Sequence, residues 1–525
     1  VPWLEGFGGA ARFACRRGEG APQEGQALTA LTSRQWLLFA LATTLLFRVW
    51  LSAAAPVTAD EAYFILWGRS PALGYYDHPP MVGWMLAPLA AFSEAAWLMR
   101  LPAVLVPALT ALAVRAALQR WFGRDEDTAN LAALAIVLAP VNVWNVLVTT
   151  DTPLVLLSVA SLLVFARAAQ RGSKGLFFLS GILLGLAFLA KYFSVLLGLG
   201  YLSWAITSKN PRAFALVFLG GLPFGLLNLY WNVEACWCNV MFNAINRHEE
   251  GGSGWSLATP ALYAASLAYL AAPLLWFAWR GRAQLREAWR RPAERALLLA
   301  WLLPLAVFAA LSPVKRIGLH WLLSFAPALV LSVALALERV QLRWSVRFFA
   351  VLAALHMIPI AIAVALPLEA WQASRFYARL VFPGRISELL AAAPGPPGAV
   401  LATDSYASAA LLAYHARRPV PVFGRGTSHA RQSDIETDWR NLAGKDMLLL
   451  RREAPPAQEY QPYFREIEIK KIPLGGGAYH ALIGRGFDYE AYRRGVLADV
   501  RERYYRIPAW LPAGRCYFFE RYFPR

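Results

Sequence analysis

Ionisable side chains beside apolar stretches are the residues of this sequence whose types could do chemistry. Asp60 and Glu61 follow the first apolar stretch, Asp77 and His78 precede a Pro-Pro pair, and Asp151 stands in a Thr-Asp-Thr-Pro turn. An ionisable group near hydrocarbon is costly and usually faces a cavity or a partner, so each is a candidate functional residue. Their carboxylates could take a proton from a hydroxyl group.

The basic candidates follow further along the chain. Lys191 stands between two short apolar segments, and Lys315 and Arg316 come shortly before His320. Cations in such places could hold an anionic head group and stabilise charge that grows on a leaving group. Asp77 and His320 are the candidates for binding an acceptor or a metal. The cofactor stays open, with a divalent cation as one candidate.

The elements that must position these residues are membrane helices. Of 525 residues, 58% are hydrophobic and 16% are charged, which favours a membrane class over a soluble one. A spanning helix needs ~20 apolar residues, and about eleven such spans precede Leu368. They begin near Trp36, Trp97, Thr128, Thr152, Leu176, Phe193, Ala213, Ala258, Ala296, Leu319 and Phe348.

Every second connection between these spans is basic. The basic groups are Arg115/Arg120/Arg124, Arg167/Arg171/Lys174, Lys209/Arg212, the run Arg280 to Arg295, and Arg339/Arg343/Arg347. Such loops face the cytoplasm, and they account for the net charge of +18 without nucleic acid as a partner. An odd number of spans then places the C-terminal segment, and all the candidate residues, on the opposite side.

The orientation depends on the stretch Leu176 to Ile206, which predicts two short helices meeting at Lys191. One long helix is the alternative. It would place the cluster Arg280 to Arg295 outside, against the positive-inside rule.

Three regions are predicted: a cytoplasmic tail over 1–33, a transmembrane domain over 34–368 and a small extracytoplasmic α/β domain over 369–525. No apolar core precedes Trp36, so the tail is not a signal peptide, a mis-assigned start being the alternative. Within the last region the sequence predicts an apolar run at Ala399–Ala402, a helix at Tyr406–His415 and a strand at Val420–Phe423. The polar stretch 423–434 is predicted to face the membrane and to touch acceptor or sugar.

The four cysteines predict neither a disulfide framework nor a structural zinc site, because their spacing does not repeat and no His pair accompanies them. Pairing of Cys236 with Cys238, or metal binding by the two, is the alternative.

The order of these motifs resembles that of the GT-C membrane glycosyltransferases of the protein O-mannosyltransferase and aminoarabinose lipid A transferase type, glycosyltransferase family 39. The resemblance covers roughly the first 330 residues. The motifs are Asp60-Glu61, Asp77-His78-Pro79-Pro80, Thr150-Asp151-Thr152-Pro153 and Leu189-Ala190-Lys191. The family often has Lys at the position of His78, which puts the role of that residue in doubt.

The resemblance implies transfer of a sugar from a polyprenyl-phosphate donor to a cell-envelope acceptor, with inversion, on the periplasmic face of a bacterial inner membrane. Asp60 would be the catalytic base or would orient the acceptor hydroxyl, and Asp151 would help to place acceptor or donor. Glu61 is the third catalytic candidate. Lys191, with Lys315 or Arg316 and with His78, would hold the donor phosphate. Lipopolysaccharide, a protein hydroxyl and another glycan remain open as acceptors.

Other interpretations of single residues are structural. Asp60 and Glu61 could form a solvated helix end, Asp151 could cap its helix, and Lys191 could extend its ammonium toward water. Lys315 and Arg316 could bind lipid head groups. For the whole chain, a transporter or a flippase for lipid-linked sugars is the rival, although its sites should lie near the membrane midplane.

Overall fold

The chain is described by a computed structural model over residues 31–246, 255–375, 377–426 and 431–524. Nearly all of the predicted tail 1–33 lies outside these residues, as do residues 427–430 of the polar stretch 423–434. Thr32 begins the first helix as its N-cap, with its hydroxyl accepting from the Gln35 amide.

Helices joined by loops make up the described residues as far as Ala365. They are α1 Ser33–Ala54, α2 Ala59–Arg69, α3 Met81–Ala90, α4 Ala96–Met99, α5 Leu101–Arg120, α6 Glu126–Val137, α7 Pro140–Trp144, α8 Asp151–Arg171, α9 Lys174–Ala190, α10 Ser194–Thr207, α11 Pro211–Glu234, α12 Cys238–Val240, α13 Ala258–Arg280, α14 Arg282–Ala288, α15 Pro292–Leu311, α16 Ala326–Ala336 and α17 Arg339–Ala365.

Seven helices within the described ranges are long and apolar enough to cross a membrane: Ser33–Ala54, Ala96–Arg120, Asp151–Arg171, Pro211–Glu234, Ala258–Arg280, Pro292–Leu311 and Arg339–Ala365. Shorter apolar helices are Met81–Ala90, Lys174–Ala190, Ser194–Thr207 and Ala326–Ala336. The predicted fold class, a polytopic α-helical membrane protein with a small sheet-containing part, is confirmed.

The third predicted span is shorter than its apolar sequence suggests. From Glu126 the helix runs only to Val137, and a separate short helix starts at Pro140. Proline disfavours helical backbone in the residue before it and has no amide hydrogen, which ends α6.

Two short helices do meet at Lys191, as predicted, because α9 ends at Ala190 and α10 begins at Ser194. The rings of Phe177 and Trp204 lie 5.7 Å apart, so the two helices run antiparallel with Lys191 at the tip of the hairpin. The alternative of one long helix was wrong.

Glycines let α9 cross α11 closely. A Cβ atom at Gly181 would clash with the Val217 carbonyl oxygen, and one at Gly220 would clash with the Phe178 carbonyl oxygen. Small residues permit this backbone approach between membrane helices. The crossing fixes the hairpin, and therefore Lys191, against α11.

The predicted cytoplasmic loops gather at one end of the bundle. Arg339 at the start of α17 lies 3.7 Å from Asp125 before α6. Arg295 of α15 donates to the Ser208 hydroxyl after α10 (2.8 Å), and Gln170 of α8 donates to the Trp121 carbonyl after α5 (3.3 Å).

A four-stranded sheet organises the residues after Ala365. Its strands are β1 Val400–Ala402, β2 Met447–Arg451, β3 Phe464–Leu474 and β4 Gly477–Phe487, in the order β1-β2-β4-β3. The pair β1/β2 is parallel, with Leu401 opposite Leu448, and the other pairs are antiparallel. The helices are α18 Tyr377–Gly384, α19 Ile386–Ala392, α20 Tyr406–Ala416, α21 Gln432–Glu436, α22 Ala457–Tyr460, α23 Tyr489–Tyr492, α24 Ala498–Tyr504 and α25 Tyr517–Tyr522.

The helix α20 packs on α2 of the membrane part. Glu94, between α3 and α4, accepts two hydrogen bonds of 2.6 Å from Arg69 at the end of α2. It also pairs with Arg417 after α20, and its carbonyl accepts from the Tyr414 hydroxyl at 2.8 Å. This cluster fastens α20 to the membrane helices.

A disulfide joins Cys236, just after α11, to Cys516 before α25. The prediction that the cysteines form no disulfide was therefore wrong, and Cys238 is a buried thiol rather than the partner of Cys236. The two half-cystines are 280 positions apart, so no local spacing could reveal the pair. The bond ties the C-terminal end of the chain to the end of a membrane helix.

Candidate active site

A cavity of about 490 Å³ opens at the end of the bundle away from the basic loops. It lies between α2, the start of α8, the α9–α10 hairpin, the turn at Leu319–Leu322 and α20. The predicted residues that line it are Asp60, Asp77, His78, Asp151, Lys191 and His320. We call it the Asp60 cavity.

Asp60 lies in the first turn of α2, behind the N-cap Thr58. A carboxylate is favoured there by the helix dipole. Its Oδ1 accepts a hydrogen bond of 3.3 Å from the hydroxyl of Tyr406 on α20. Burial and the Asp60 carboxylate raise the pKa of Tyr406, so this phenol stays protonated at neutral pH and acts as the donor.

Glu61 does not line the Asp60 cavity, although it was predicted as a catalytic residue beside Asp60. Its two carboxylate oxygens accept from Arg100 Nε and Nη2, both at 2.7 Å, and each side chain is only 1% exposed. It also completes the capping box with Thr58 and accepts from the Val148 amide at 3.4 Å. Glu61 thus positions the start of α2 and the segment that leads to Asp151.

Asp77 and His78 come from the loop between α2 and α3. Asp77 Oδ1 accepts from the Tyr63 hydroxyl at 3.0 Å, and its Oδ2 lies 3.9 Å from His78 Nε2. The His78 ring also lies near Trp67, at 6.2 Å between centroids. Both residues are brought to the cavity as predicted.

Asp151 and Lys191 form an ion pair at the cavity wall. Lys191 Nζ donates to Asp151 Oδ1 at 2.8 Å and to Oδ2 at 2.9 Å, and the side chains are 12% and 11% exposed. Asp151 is the first residue of α8 and Thr150 is the N-cap. A phosphate bound by Lys191 would therefore share its ammonium with Asp151.

The basic pair Lys315 and Arg316 stands outside the cavity lining, in the loop between α15 and the turn that carries His320. Arg316 is exposed and Lys315 is half-buried. The lining of the cavity includes His320 with its neighbours Leu319 and Trp321, whereas the two cations precede these residues in the same loop.

The sequence gives no sign that Tyr63, Tyr192 and Tyr406 line the same cavity. Tyr192 donates to Asn239 Oδ1 at 2.6 Å, which connects the hairpin tip to α12. Tyr192 could have been suspected as the neighbour of Lys191, but Tyr406 is 346 positions from Asp60 and carries no signal in the sequence.

A metal site does not emerge within the described ranges: no group of three or more His, Cys, Asp or Glu side chains there could hold an ion. Asp77 and His320 both reach the Asp60 cavity. They stay candidates for contacts to an acceptor.

Two comparisons with known protein sequences give matches. The family model described as dolichyl-phosphate-mannose-protein mannosyltransferase matches residues 77–231. Lipid A galacturonosyltransferase RgtD of Rhizobium johnstonii is 27% identical over 334 residues, covering 60% of this chain and 67% of the relative.

Among solved structures, ArnT of Cupriavidus metallidurans bound to undecaprenyl phosphate has a TM-score of 0.59 at 15% identity, covering 85% of this chain and 98% of the other. Its apo form has a TM-score of 0.58 at 16% identity, covering 86% and 98%. At this identity the likeness shows a shared fold. With the two sequence matches, it confirms the predicted resemblance to the GT-C membrane glycosyltransferases.

Proposed function

We propose that this chain, a multi-pass membrane glycosyltransferase of the GT-C type, transfers a sugar from a polyprenyl-phosphate donor to a cell-envelope acceptor. Transfer takes place in a bacterial inner membrane, at the periplasmic face. Of the acceptors open from the sequence, we choose lipid A or lipopolysaccharide, since one relative is a lipid A galacturonosyltransferase.

The observation that carries the proposal is the shared cavity. It brings three carboxylates, two histidines and Lys191 together from separate parts of the chain. Such a set offers an acid-base group to a hydroxyl and a cation to a phosphate. The charged groups lie at one end of the bundle, whereas a transporter needs sites near the midplane with access from both sides.

In the reaction, the acceptor hydroxyl oxygen attacks the anomeric carbon of the donor as the bond from that carbon to the phosphate oxygen breaks. Asp60 takes the hydroxyl proton, and Tyr406 holds the carboxylate in place. The electron pair of the broken bond leaves with the polyprenyl phosphate. A single displacement of this kind inverts the anomeric centre.

Negative charge grows on the departing phosphate, and we assign its stabilisation to Lys191 with His78. Lys315 or Arg316 would join them only if their loop closes toward the cavity. Asp151 keeps Lys191 aimed into the cavity and lowers the cost of a buried ammonium before the donor binds.

Two observations support placing the Asp60 cavity at the periplasmic face. The basic loops lie at the opposite end of the bundle, and such loops face the cytoplasm. The disulfide Cys236–Cys516 lies at the C-terminal end of α11, whereas the basic residues Lys209 and Arg212 lie at its start. Because disulfides persist in oxidising compartments, this end of α11 is expected to face the periplasm.

Mass spectrometry of envelope lipids from a deletion strain tests the proposal in cells. Complementation with the wild type should restore one sugar mass on the acceptor. Complementation with Asp60→Asn should leave the acceptor unmodified and the polyprenyl-phosphate sugar accumulated. Asp127→Asn, at the basic end, is the matched control and should restore transfer. Identical envelope lipids in the deletion strain and its parent would contradict the proposal.

A further inference from the structure

A second cavity, of about 510 Å³, lies in the C-terminal part of the chain, apart from the Asp60 cavity. Its lining includes Asp404, Arg425, Arg451, Gln458, Glu459 and Tyr463. We call it the Asp404 crevice.

The strand order explains why a crevice forms there. Asp404 follows β1 and Arg451 ends β2, its parallel neighbour. Thr403, directly after β1, also makes a parallel bridge to Val422, on the side away from β2. The segment at Val422 thus lies on one side of β1 and β2 lies on the other, so the order of the parallel segments reverses at β1. In open α/β sheets, ligands bind in the crevice beyond the carboxyl ends of strands at such a switch point.

The chemistry of the lining suits a polyhydroxylated, uncharged ligand surface. The charged residues of the lining are two arginines, Arg425 and Arg451, and two acids, Asp404 and Glu459. Arg451 Nε lies 2.8 Å from Asp404 Oδ2, and Arg425 pairs with Asp499, outside the lining, at 2.5 Å. Among the described residues of the lining the charges balance, so the crevice offers hydrogen-bond donors and acceptors of both signs. A sugar hydroxyl is both donor and acceptor, and Tyr463 adds an aromatic surface.

The crevice is adjacent to the proposed active site along the chain. Asp404 lies two residues before Tyr406, and the Tyr406 hydroxyl contacts Asp60. Two residues span at most about 7 Å. The crevice and the Asp60 cavity are therefore joined by one short segment of the chain, from Asp404 to Tyr406.

We infer that the Asp404 crevice binds saccharide units of the acceptor and so selects which acceptor is glycosylated. This inference rests on the proposed transfer to a lipopolysaccharide acceptor. In this division, the crevice binds the acceptor saccharide, whereas the Asp60 cavity binds the donor and carries out the transfer.

Substitution of two exposed lining residues tests the inference without disturbing the core. Gln458→Ala combined with Glu459→Ala removes side-chain contacts of the crevice. The matched control is Gln461→Ala combined with Glu453→Ala, the same residue types in the same stretch but outside the lining. Transfer is followed with purified full-length protein, polyprenyl-phosphate sugar and lipopolysaccharide from the deletion strain. Binding of its core oligosaccharide, freed from lipid by mild acid, is measured separately.

The KM for lipopolysaccharide should be about tenfold higher in the crevice variant, since two side chains that would hydrogen-bond the saccharide are removed. Its kcat and its KM for the donor should stay unchanged, its oligosaccharide binding should weaken equally, and the control variant should match the wild type. Unchanged oligosaccharide binding or an unchanged KM for lipopolysaccharide in the crevice variant would overturn the inference and leave the transferase intact. Absence of transfer in the wild type would instead overturn the proposed function.

Discussion

At the scale of single residues, adjacent acids have different surroundings. Asp60 faces the cavity beside Tyr406, whereas Glu61 is enclosed by Arg100 and the start of α2. On a helix, the side chains of neighbouring residues point about 100° apart, so Asp60 and Glu61 face different surroundings. The sequence could predict that the pair matters, but it could not divide the two roles, because Arg100 is 39 positions away.

Replacement of Glu61 by Gln should destabilise the protein without removing the chemistry. Breaking a buried ion pair on one side costs about 3–5 kcal/mol, because the Arg100 charge remains buried. Thermal unfolding in detergent should shift to lower temperature, while transfer per folded molecule stays within a few-fold of the wild type. Glu126→Gln, in an exposed pair with Arg115, should change neither. Loss of transfer with an unchanged unfolding temperature would instead indicate that Glu61 takes part in catalysis.

Replacement of Lys191 by Met should weaken use of the donor. Hydrogen bonds to charged groups contribute about 1.5–3 kcal/mol, so kcat/KM for the polyprenyl-phosphate sugar should fall about ten- to a hundredfold. The KM for the acceptor should not change. Lys209→Met, at the basic end, serves as the control. An unchanged kcat/KM for the donor in the Lys191 variant would mean that another cation binds the phosphate.

At the scale of elements, the hairpin at Lys191 and two of the three segments predicted after Ala399 were predictable because local patterns determine them. The strand predicted at Val420–Phe423 was wrong, since only Val422 forms an isolated bridge there. Apolar length, the break at Lys191 and the basic loops indicated two short helices. The run Ala399–Ala402 and the stretch Tyr406–His415 are indeed β1 and α20. Packing of α20 on α2 could not be predicted, because it joins residues more than 300 positions apart and is held by the cluster around Glu94.

The attachment of α20 should depend on pH through Glu94. Hydrogen bonds from Arg69, with the charges of Arg69 and Arg417, hold the pKa of Glu94 below its ordinary value of 4.5. A carboxyl whose pKa is lower in the folded protein stabilises the fold above its unfolded pKa, and this contribution is lost as pH falls through the folded pKa. The protection factors of the α20 amides, which correct for the intrinsic pH dependence of exchange, should therefore fall below about pH 4.5.

Glu94→Gln separates this carboxyl from other acids. In the variant, the protection factors of α20 should already be lower at pH 7 and should change less on acidification. Equal pH dependence in variant and wild type would mean that a different carboxyl controls the attachment of α20.

At the scale of the whole molecule, the alternation of basic and non-basic loops predicts that the candidate residues lie at the end of the bundle away from the basic loops. The contacts between basic loops agree with that pattern. The disulfide was invisible in the sequence for a physical reason: its cysteines become neighbours only after the C-terminal part folds against α11.

Labelling with a membrane-impermeant maleimide tests the orientation. Cysteine introduced by Trp510→Cys, at a position 69% exposed, should react in intact spheroplasts. Cysteine introduced by Lys209→Cys, in a basic loop, should react only after lysis. The reverse pattern would place the Asp60 cavity on the cytoplasmic side.

The central claim is that the Asp60 cavity transfers a sugar from a polyprenyl-phosphate carrier. Its most direct test is purified protein in proteoliposomes with a donor labelled in the sugar and lipopolysaccharide from the deletion strain. The wild type should move the label to the acceptor and release one polyprenyl phosphate per sugar, with an inverted anomeric centre, and Asp60→Asn should do neither. Full transfer by Asp60→Asn, or labelled donor that crosses the bilayer without transfer in the wild type, would contradict the claim.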